Sequence, residues 1–243
     1  MTALRSLLLW LPPFLLTACG SPPSAAPAVD PALATEASVK PGINESFLRE
    51  GAAEQYTQRF ETESREIFAR RAEIVEAVGL RPGMAVADVG CGTGLFLGPF
   101  AKAVGPDGRV YAVDLAPGFV VLIENRARRL GLDNVTPIQC SERSSELPPD
   151  SVDLVFVCDT YHHFEYPRNT LASLHRALRP GGELVVIDFH RIEGVSSAWT
   201  LDHVRAGEEV VTAEIEAAGF ARTEQRHDLL EQNYFLRFRR LDG

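Results

Sequence analysis

An apolar run, Val86-Ala87-Asp88-Val89, meets a turn of alternating glycines, Gly90-Cys91-Gly92-Thr93-Gly94. An acid at the end of a buried strand followed by such glycines predicts a sharp strand-to-helix turn whose backbone comes close to a bound ligand. The dinucleotide fingerprint is G-x-G-x-x-G, and the spacing here is the tighter G-x-G-x-G. A nucleoside-type cofactor is the ligand class this pattern suits. A second set of reactive residues, Asp159-Thr160-Tyr161-His162-His163-Phe164, follows another apolar run, Asp153–Cys158. Open α/β sheets bind ligands beyond the carboxyl ends of their strands, so Asp159, Tyr161, His162 and His163 are candidates to touch substrate. Either histidine can serve as general base for an acceptor that must lose a proton, and the alternative role is packing or capping.

The segments around these residues alternate in a way that positions them. Strands are expected at Ala85–Val89, Arg109–Asp114, Val135–Gln139, Asp153–Cys158 and Glu183–Phe189, with helices at Gly94–Val104, Gly118–Leu130, Pro167–Leu178 and about Glu208–Ala218. Strands alternating with helices imply right-handed crossovers and a parallel sheet. Arg222–Asp228 and Asn233–Arg239 should close the chain as an antiparallel pair. Upstream, the apolar spacing of Phe47 to Val78 predicts one or two helices over the cofactor side, ended by Gly79 and Pro82.

Asp88 and the Gly90–Gly94 turn, with the second acid Asp114 ending Val110-Tyr111-Ala112-Val113, resemble the first two motifs of class I S-adenosylmethionine-dependent methyltransferases. Asp153-Leu154-Val155-Phe156-Val157-Cys158-Asp159 is similar to that family's fourth-strand motif. Leu178-Arg179-Pro180-Gly181-Gly182 is similar to its turn before strand five. The resemblance covers about residues 47–243 and implies a three-layer Rossmann-like fold, with a seven-stranded, mostly parallel sheet and an antiparallel last strand. It implies S-adenosyl-L-methionine as cofactor, approached by Gly90, Cys91, Gly92, Thr93 and Gly94. Asp88 would support its ammonium, Asp114 its ribose hydroxyls, and Leu115 would lie against adenine. Many relatives carry an Asp after strand three for the adenine amino group, whereas this chain reads Gln139-Cys140-Ser141-Glu142-Arg143; Glu142 or a backbone carbonyl would take that place. Asp159 would complete the cofactor side, and Tyr161, His162 and His163 the catalytic side. The acceptor is expected to be a small molecule, with a protein as the other option.

Other features bound the function. The net charge of -9 argues against nonspecific nucleic-acid binding, and Arg126, Arg128 and Arg129 read as a solvated helix face. No metal site is expected. His162, His163, Glu165, His190 and His203 are the residues one would assemble into one, but neighbouring histidines should point apart. His203 and Arg205 could cap the substrate pocket. Cys91 and Cys158 should lie near the ends of adjacent strands, where a bridge is the alternative to buried free thiols.

Arg5, the apolar run Leu7–Leu16 and Leu16-Thr17-Ala18-Cys19 resemble a bacterial lipoprotein signal and lipobox, in which Cys19 is lipidated. The run is too short to span a bilayer. The expected organisation is a signal over 1–19, a Pro/Ala-rich, poorly ordered tether over 20–46 and one domain over 47–243. That places the protein in the cell envelope on a lipid anchor, or in the cytoplasm if the lipobox is incidental. Because S-adenosylmethionine is made inside the cell, the exported address leaves a second reading, a non-catalytic binding or sensing protein that keeps the scaffold.

Overall fold

A computed structural model of the chain describes residues 31–62 and 65–242. The signal segment, Cys19 and the first part of the expected tether lie outside the described residues. Seven strands form one sheet: β1 Ala85–Val89, β2 Arg109–Asp114, β3 Val135–Gln139, β4 Val152–Cys158, β5 Leu178–Phe189, β6 Phe220–Arg226 and β7 Asn233–Arg240. Their order is β3-β2-β1-β4-β5-β7-β6. Strands β1 to β5 run parallel, and β7 lies antiparallel between β5 and β6. The helices are α1 Pro31–Ala34, α2 Ala52–Phe60, α3 Glu66–Ala69, α4 Arg71–Val78, α5 Leu97–Val104, α6 Pro117–Leu130, α7 Pro167–Ala177, α8 Ala198–His203 and α9 Glu208–Ala217.

The central strands are apolar on both faces because helices cover both, as a parallel sheet requires. Leu154, Val155, Phe156 and Val157 of β4 are all buried. One face carries Val155, Val157, Leu184 and Val186 against Leu171 and Leu174 of α7 and Ile215 of α9. The other carries Val86, Leu154, Phe156 and Val185 against Ile74 of α4, Phe100 of α5 and Ile123 of α6. This is the three-layer methyltransferase fold that the motifs imply. Strand order reverses at β1, with β2 on one side and β4 on the other, so a crevice opens at the carboxyl ends of β1 and β4.

Several boundaries differ from expectation for local reasons. The Phe47–Val78 segment forms three short helices, α2 to α4, with Gly51 in a left-handed conformation opening α2, a break after Phe60 and a second break at Arg70 between α3 and α4. Strand β5 begins at Leu178, pairing with Val152, and the register then jumps to Leu154 opposite Glu183. The expected turn at Arg179–Gly182 is thus a bulge within the strand's span. Helix α5 starts at Leu97 rather than Gly94, since residues 90–96 form the turn itself. The last part of the expected tether is bound to the domain. Glu36 caps α7 by accepting from the backbone N–H of Arg168 and Asn169 at 2.9 and 2.8 Å, and Val39 N–H donates to Glu165 O at 2.9 Å. The two Glu36 bonds satisfy orphan donors at the helix start, and no apolar periodicity announces them.

Candidate active site

The turn after β1 is held by its own strand neighbours. Gly90 and Cys91 N–H both donate to Val113 O, at 2.8 and 3.1 Å. Gly90 has φ 72°, and a Cβ there would stand 2.1 Å from Thr160 Cγ2. Only glycine lets the β1 and β4 ends meet so closely. At Gly94 an added Cβ would stand 2.5 Å from Ile123 on α6, so this glycine serves helix packing. From the far side Arg126 donates to Thr93 O at 2.8 Å and pairs with Glu61, which removes it from the solvated face expected for it. Arg128 and Arg129 do stay exposed.

A cavity of about 760 Å³ opens here, within the size range of small-molecule sites. Asp88, Gly90, Cys91, Gly92, Thr93, Asp114, Leu115, Glu142 and Asp159 line it, as do His162 and His163. Gly94 and Tyr161 do not. Tyr161 is fully buried beneath the sheet end, where its hydroxyl donates to Glu214 Oε2 at 2.8 Å and Arg205 lies over its ring. It is therefore corrected from a catalytic candidate to a structural residue. Arg205 is also away from the cavity, held in a fork by Glu214 at 2.9 and 2.8 Å, whereas His203 does line it.

The cofactor-side acids are buried and unequal in their bonding. Asp114 accepts from Gly92 N–H at 2.8 Å and Ala116 N–H at 2.9 Å, one on each carboxylate oxygen. Burial raises its pKa from 3.8 to about 6, while the backbone donors hold it back. Asp88 Oδ2 is buried with no hydrogen-bond partner. Burial first, and the charge of Asp114 second, raise Asp88 to about 7. An orphaned buried carboxylate oxygen on a cavity wall asks for a donor or a cation. The ammonium of a methionine moiety meets that need, and each carboxylate oxygen of Asp114 keeps acceptor capacity for ribose hydroxyls. The residues present fit S-adenosylmethionine.

On the opposite wall, Asp159 sits at φ 50°, and its carboxylate pairs with Arg65 and accepts from Asn233 Nδ2 at 2.6 Å. Burial raises it to about 6, against the opposing pull of Arg65. Arg65 and Asn233 come from segments distant in sequence and were not anticipated. His162 Nδ1 lies 2.7 Å from Asp188 Oδ1. The same carboxylate accepts from His162 N–H and Phe189 N–H at 2.9 and 2.8 Å. An ionised carboxylate only accepts, so Nδ1 donates its proton to Asp188 and Nε2 is the ring nitrogen left for other partners. Asp188, the one acid in the apolar run Leu184-Val185-Val186-Ile187-Asp188-Phe189, could have been found by that break in pattern.

The neighbouring histidines do not point apart. Tyr161–His163 form a 3-10 turn, and the His162 and His163 ring centroids are 4.3 Å apart. His163 packs edge-on to Phe47 at 5.1 Å, within an aromatic wall that includes Tyr56 and Phe60, and its Nδ1 is buried without a partner. Burial, then the charges of His162, His203 and Lys40, hold His163 well below the ordinary range. Burial likewise lowers His203 to about 4. Of the other residues considered for a metal, Glu165 is committed to Ser38 and Gly42, and His190 faces Glu208 and Tyr234. Cys91, Cys140 and Cys158 are free thiols, so the Cys91–Cys158 bridge is absent. Burial raises the Cys91 and Cys158 pKa values well above the ordinary thiol range. Among the described residues, no helix is long and apolar enough to cross a membrane.

Residues 86–182 match a family model described as a methyltransferase domain. A ubiquinone/menaquinone biosynthesis C-methyltransferase, UbiE, of Cupriavidus taiwanensis is 30% identical over 119 residues, 49% of this chain and 48% of that protein. The chain thus spans about half the length of the curated relatives it matches. A SAM-dependent methyltransferase from Aquifex aeolicus superposes with TM-score 0.69 at 27% identity, over 77% of this chain and 97% of that one. The cyclase SpnF superposes with TM-score 0.61 at 19% identity, over 72% of this chain and 82% of its own, a likeness of fold alone. One scaffold carries more than one chemistry.

Proposed function

We infer that this chain, a methyltransferase by fold and domain match, transfers the sulfonium methyl of S-adenosylmethionine to a small-molecule acceptor. The observation that carries this reading is the orphaned Asp88 carboxylate oxygen beside Asp114 in the crevice at the β1 and β4 ends. When bound, the cofactor supplies a methyl group already activated by its positive sulfur. The protein's own work is then to position two reactants in line and to exclude water.

Asp88 and Asp114 bind and orient at one end of the cavity. The backbone donors of Gly92 and Ala116 keep the Asp114 carboxylate from rotating, which fixes the ribose and through it the methyl position. At the other end His162, oriented by Asp188, and His163, packed on Phe47, present imidazoles where an acceptor must lie. With no ion bound there, His162 Nε2 would take the acceptor's proton. The aromatic wall of Phe47, Tyr56 and Phe60 suits a flat, apolar acceptor body. The relatives named for C-methylation support an acceptor carbon made nucleophilic by a neighbouring enol or phenol oxygen. We further propose that Cys19 carries a lipid that holds the domain at a membrane; Cys19→Ser should move the protein from the membrane fraction to the soluble one, and a wild type already soluble would overturn this.

The test of the cofactor assignment is Asp114→Ala. Loss of two charge-assisted hydrogen bonds should weaken S-adenosylmethionine binding by about 100-fold or more in calorimetry. Unchanged affinity would remove Asp114 from the ribose role.

A further inference from the structure

His162, His163 and His203 come from two elements, the turn after β4 and the end of α8, and one ring nitrogen from each lies within 4.8 Å of the others. His163 Nε2 and His203 Nε2 face each other at 3.5 Å. Two imidazole nitrogens bound to one zinc-type ion at 2.0–2.1 Å with tetrahedral geometry stand about 3.3 Å apart. The third ring is already dressed as a metal ligand would be. His162 Nδ1–H donates to Asp188 at 2.7 Å, which leaves Nε2 as the ligating nitrogen and raises its basicity. Each ring is also braced by packing: His203 stacks on Trp199 at 4.7 Å, and His163 stands edge-on to Phe47. All three line the cavity.

We propose that His162, His163 and His203 form a three-imidazole site for a divalent transition-metal ion of the zinc type, with its open coordination position facing the cavity. Imidazole ligands suit this class, and three protein ligands with one position open are the arrangement of zinc sites that handle substrate. The chemical class expected in the open position is an anionic oxygen of the acceptor, an enolate or phenolate whose proton has gone to solvent, because a ligating His162 Nε2 has no lone pair left to take it. That last step rests on the methyltransferase reading, whereas the ion site does not. Lys40 opposes the ion. Its ammonium is tied at 2.7 Å to the carbonyls of Asp202 and His203, and Asp188 supplies the opposing negative charge behind His162.

The experiment is a titration of cobalt(II) into the whole, metal-stripped chain, followed by visible absorption and by displacement with zinc. One equivalent should bind and give the strong d–d bands of a four- or five-coordinate ion. His203→Ala and His163→Ala should each abolish those bands, and Asp188→Asn should weaken binding by about 10–100-fold. Catechol, as an oxygen-donor probe, should shift the bands. Thermal melts of each variant separate lost binding from lost fold, and His203, the least buried of the three, is the safer substitution. A wild type that leaves cobalt as the weakly coloured hydrated ion, or bands that survive in both His203→Ala and His163→Ala, would overturn the proposal. S-adenosylhomocysteine calorimetry on the same samples keeps the outcomes apart. Cofactor binding without cobalt binding rejects the ion site alone, and cobalt binding without cofactor binding rejects the methyltransferase reading alone.

Discussion

The two ends of the cavity are built in opposite ways. At the cofactor end nearly every group comes from β1, the turn after it and the strand beside it: Asp88 lies near the end of β1, Gly90 N–H donates to Val113 O and Gly92 N–H to Asp114 of β2. At the acceptor end the groups converge from across the chain. Phe47 precedes α2, Arg65 precedes α3, His162 and His163 follow β4, Asp188 ends β5, His203 ends α8 and Asn233 starts β7. The first end is a local device that many substrates can share, and the second is an assembly that any change of loop can retune. That division explains how one fold serves different acceptors.

Substitutions that break the local device should have the largest effects. Gly90→Ala would drive a Cβ to 2.1 Å from Thr160 Cγ2 and 2.8 Å from its Cβ, at a φ that disfavours side chains. The expected cost is about 2–4 kcal/mol of stability, read as a lower denaturant midpoint, with cofactor binding lost. A midpoint equal to wild type would show that the β1 and β4 ends need not meet so closely. Asp88→Asn comes next and should split two readouts. Removing a buried, unpartnered charge raises ligand-free stability, while cofactor affinity falls by about 10–100-fold. If both fell together, Asp88 would be a structural residue.

A pH series sharpens the same contrast. The folded state raises Asp88 from 3.8 to about 7 and Asp114 from 3.8 to about 6. A raised carboxyl holds its proton more tightly folded than unfolded, so its stabilising contribution is complete below about pH 4 and is lost as pH rises through about 7. The ligand-free melting temperature should therefore decline across that window. Cofactor affinity should rise across it, because a cationic group binds the ionised Asp88. Affinity flat from pH 5 to pH 8 would contradict the ammonium role. The smallest effect is expected at the acceptor wall: Phe47→Leu should leave cofactor affinity within about 2-fold in calorimetry while raising the acceptor KM, since Phe47 packs on His163 and on the aromatic wall.

Legibility in the sequence follows the same division. The strands, their parallel sheet and the places of Asp88 and Asp114 on the cavity wall could be read because alternating apolar segments and a short glycine spacing are local signals. The seven-stranded sheet with its antiparallel β7 agrees with that reading. The acceptor end resisted because its contacts are long-range: nothing near Asp159 in sequence points to Arg65 or Asn233, and nothing near His162 points to His203. Adjacent side chains alternate across a strand, but Tyr161–His163 turn as a 3-10 helix, which brings two rings to the cavity and sends Tyr161 beneath it. The bonds that Glu36, Lys40 and Asn44 make with the domain are illegible for a related reason, since a Pro- and Ala-rich composition carries no signal of long-range partners.

The most direct test of the cofactor end is calorimetry of the purified chain at pH 8, with S-adenosylmethionine, S-adenosylhomocysteine and NAD titrated in turn. The account predicts micromolar binding of the first two and none of NAD, because the tight G-x-G-x-G turn and the Asp88 carboxylate are matched to a methionine ammonium rather than a pyrophosphate. Binding of NAD, or of none of the three, would contradict it.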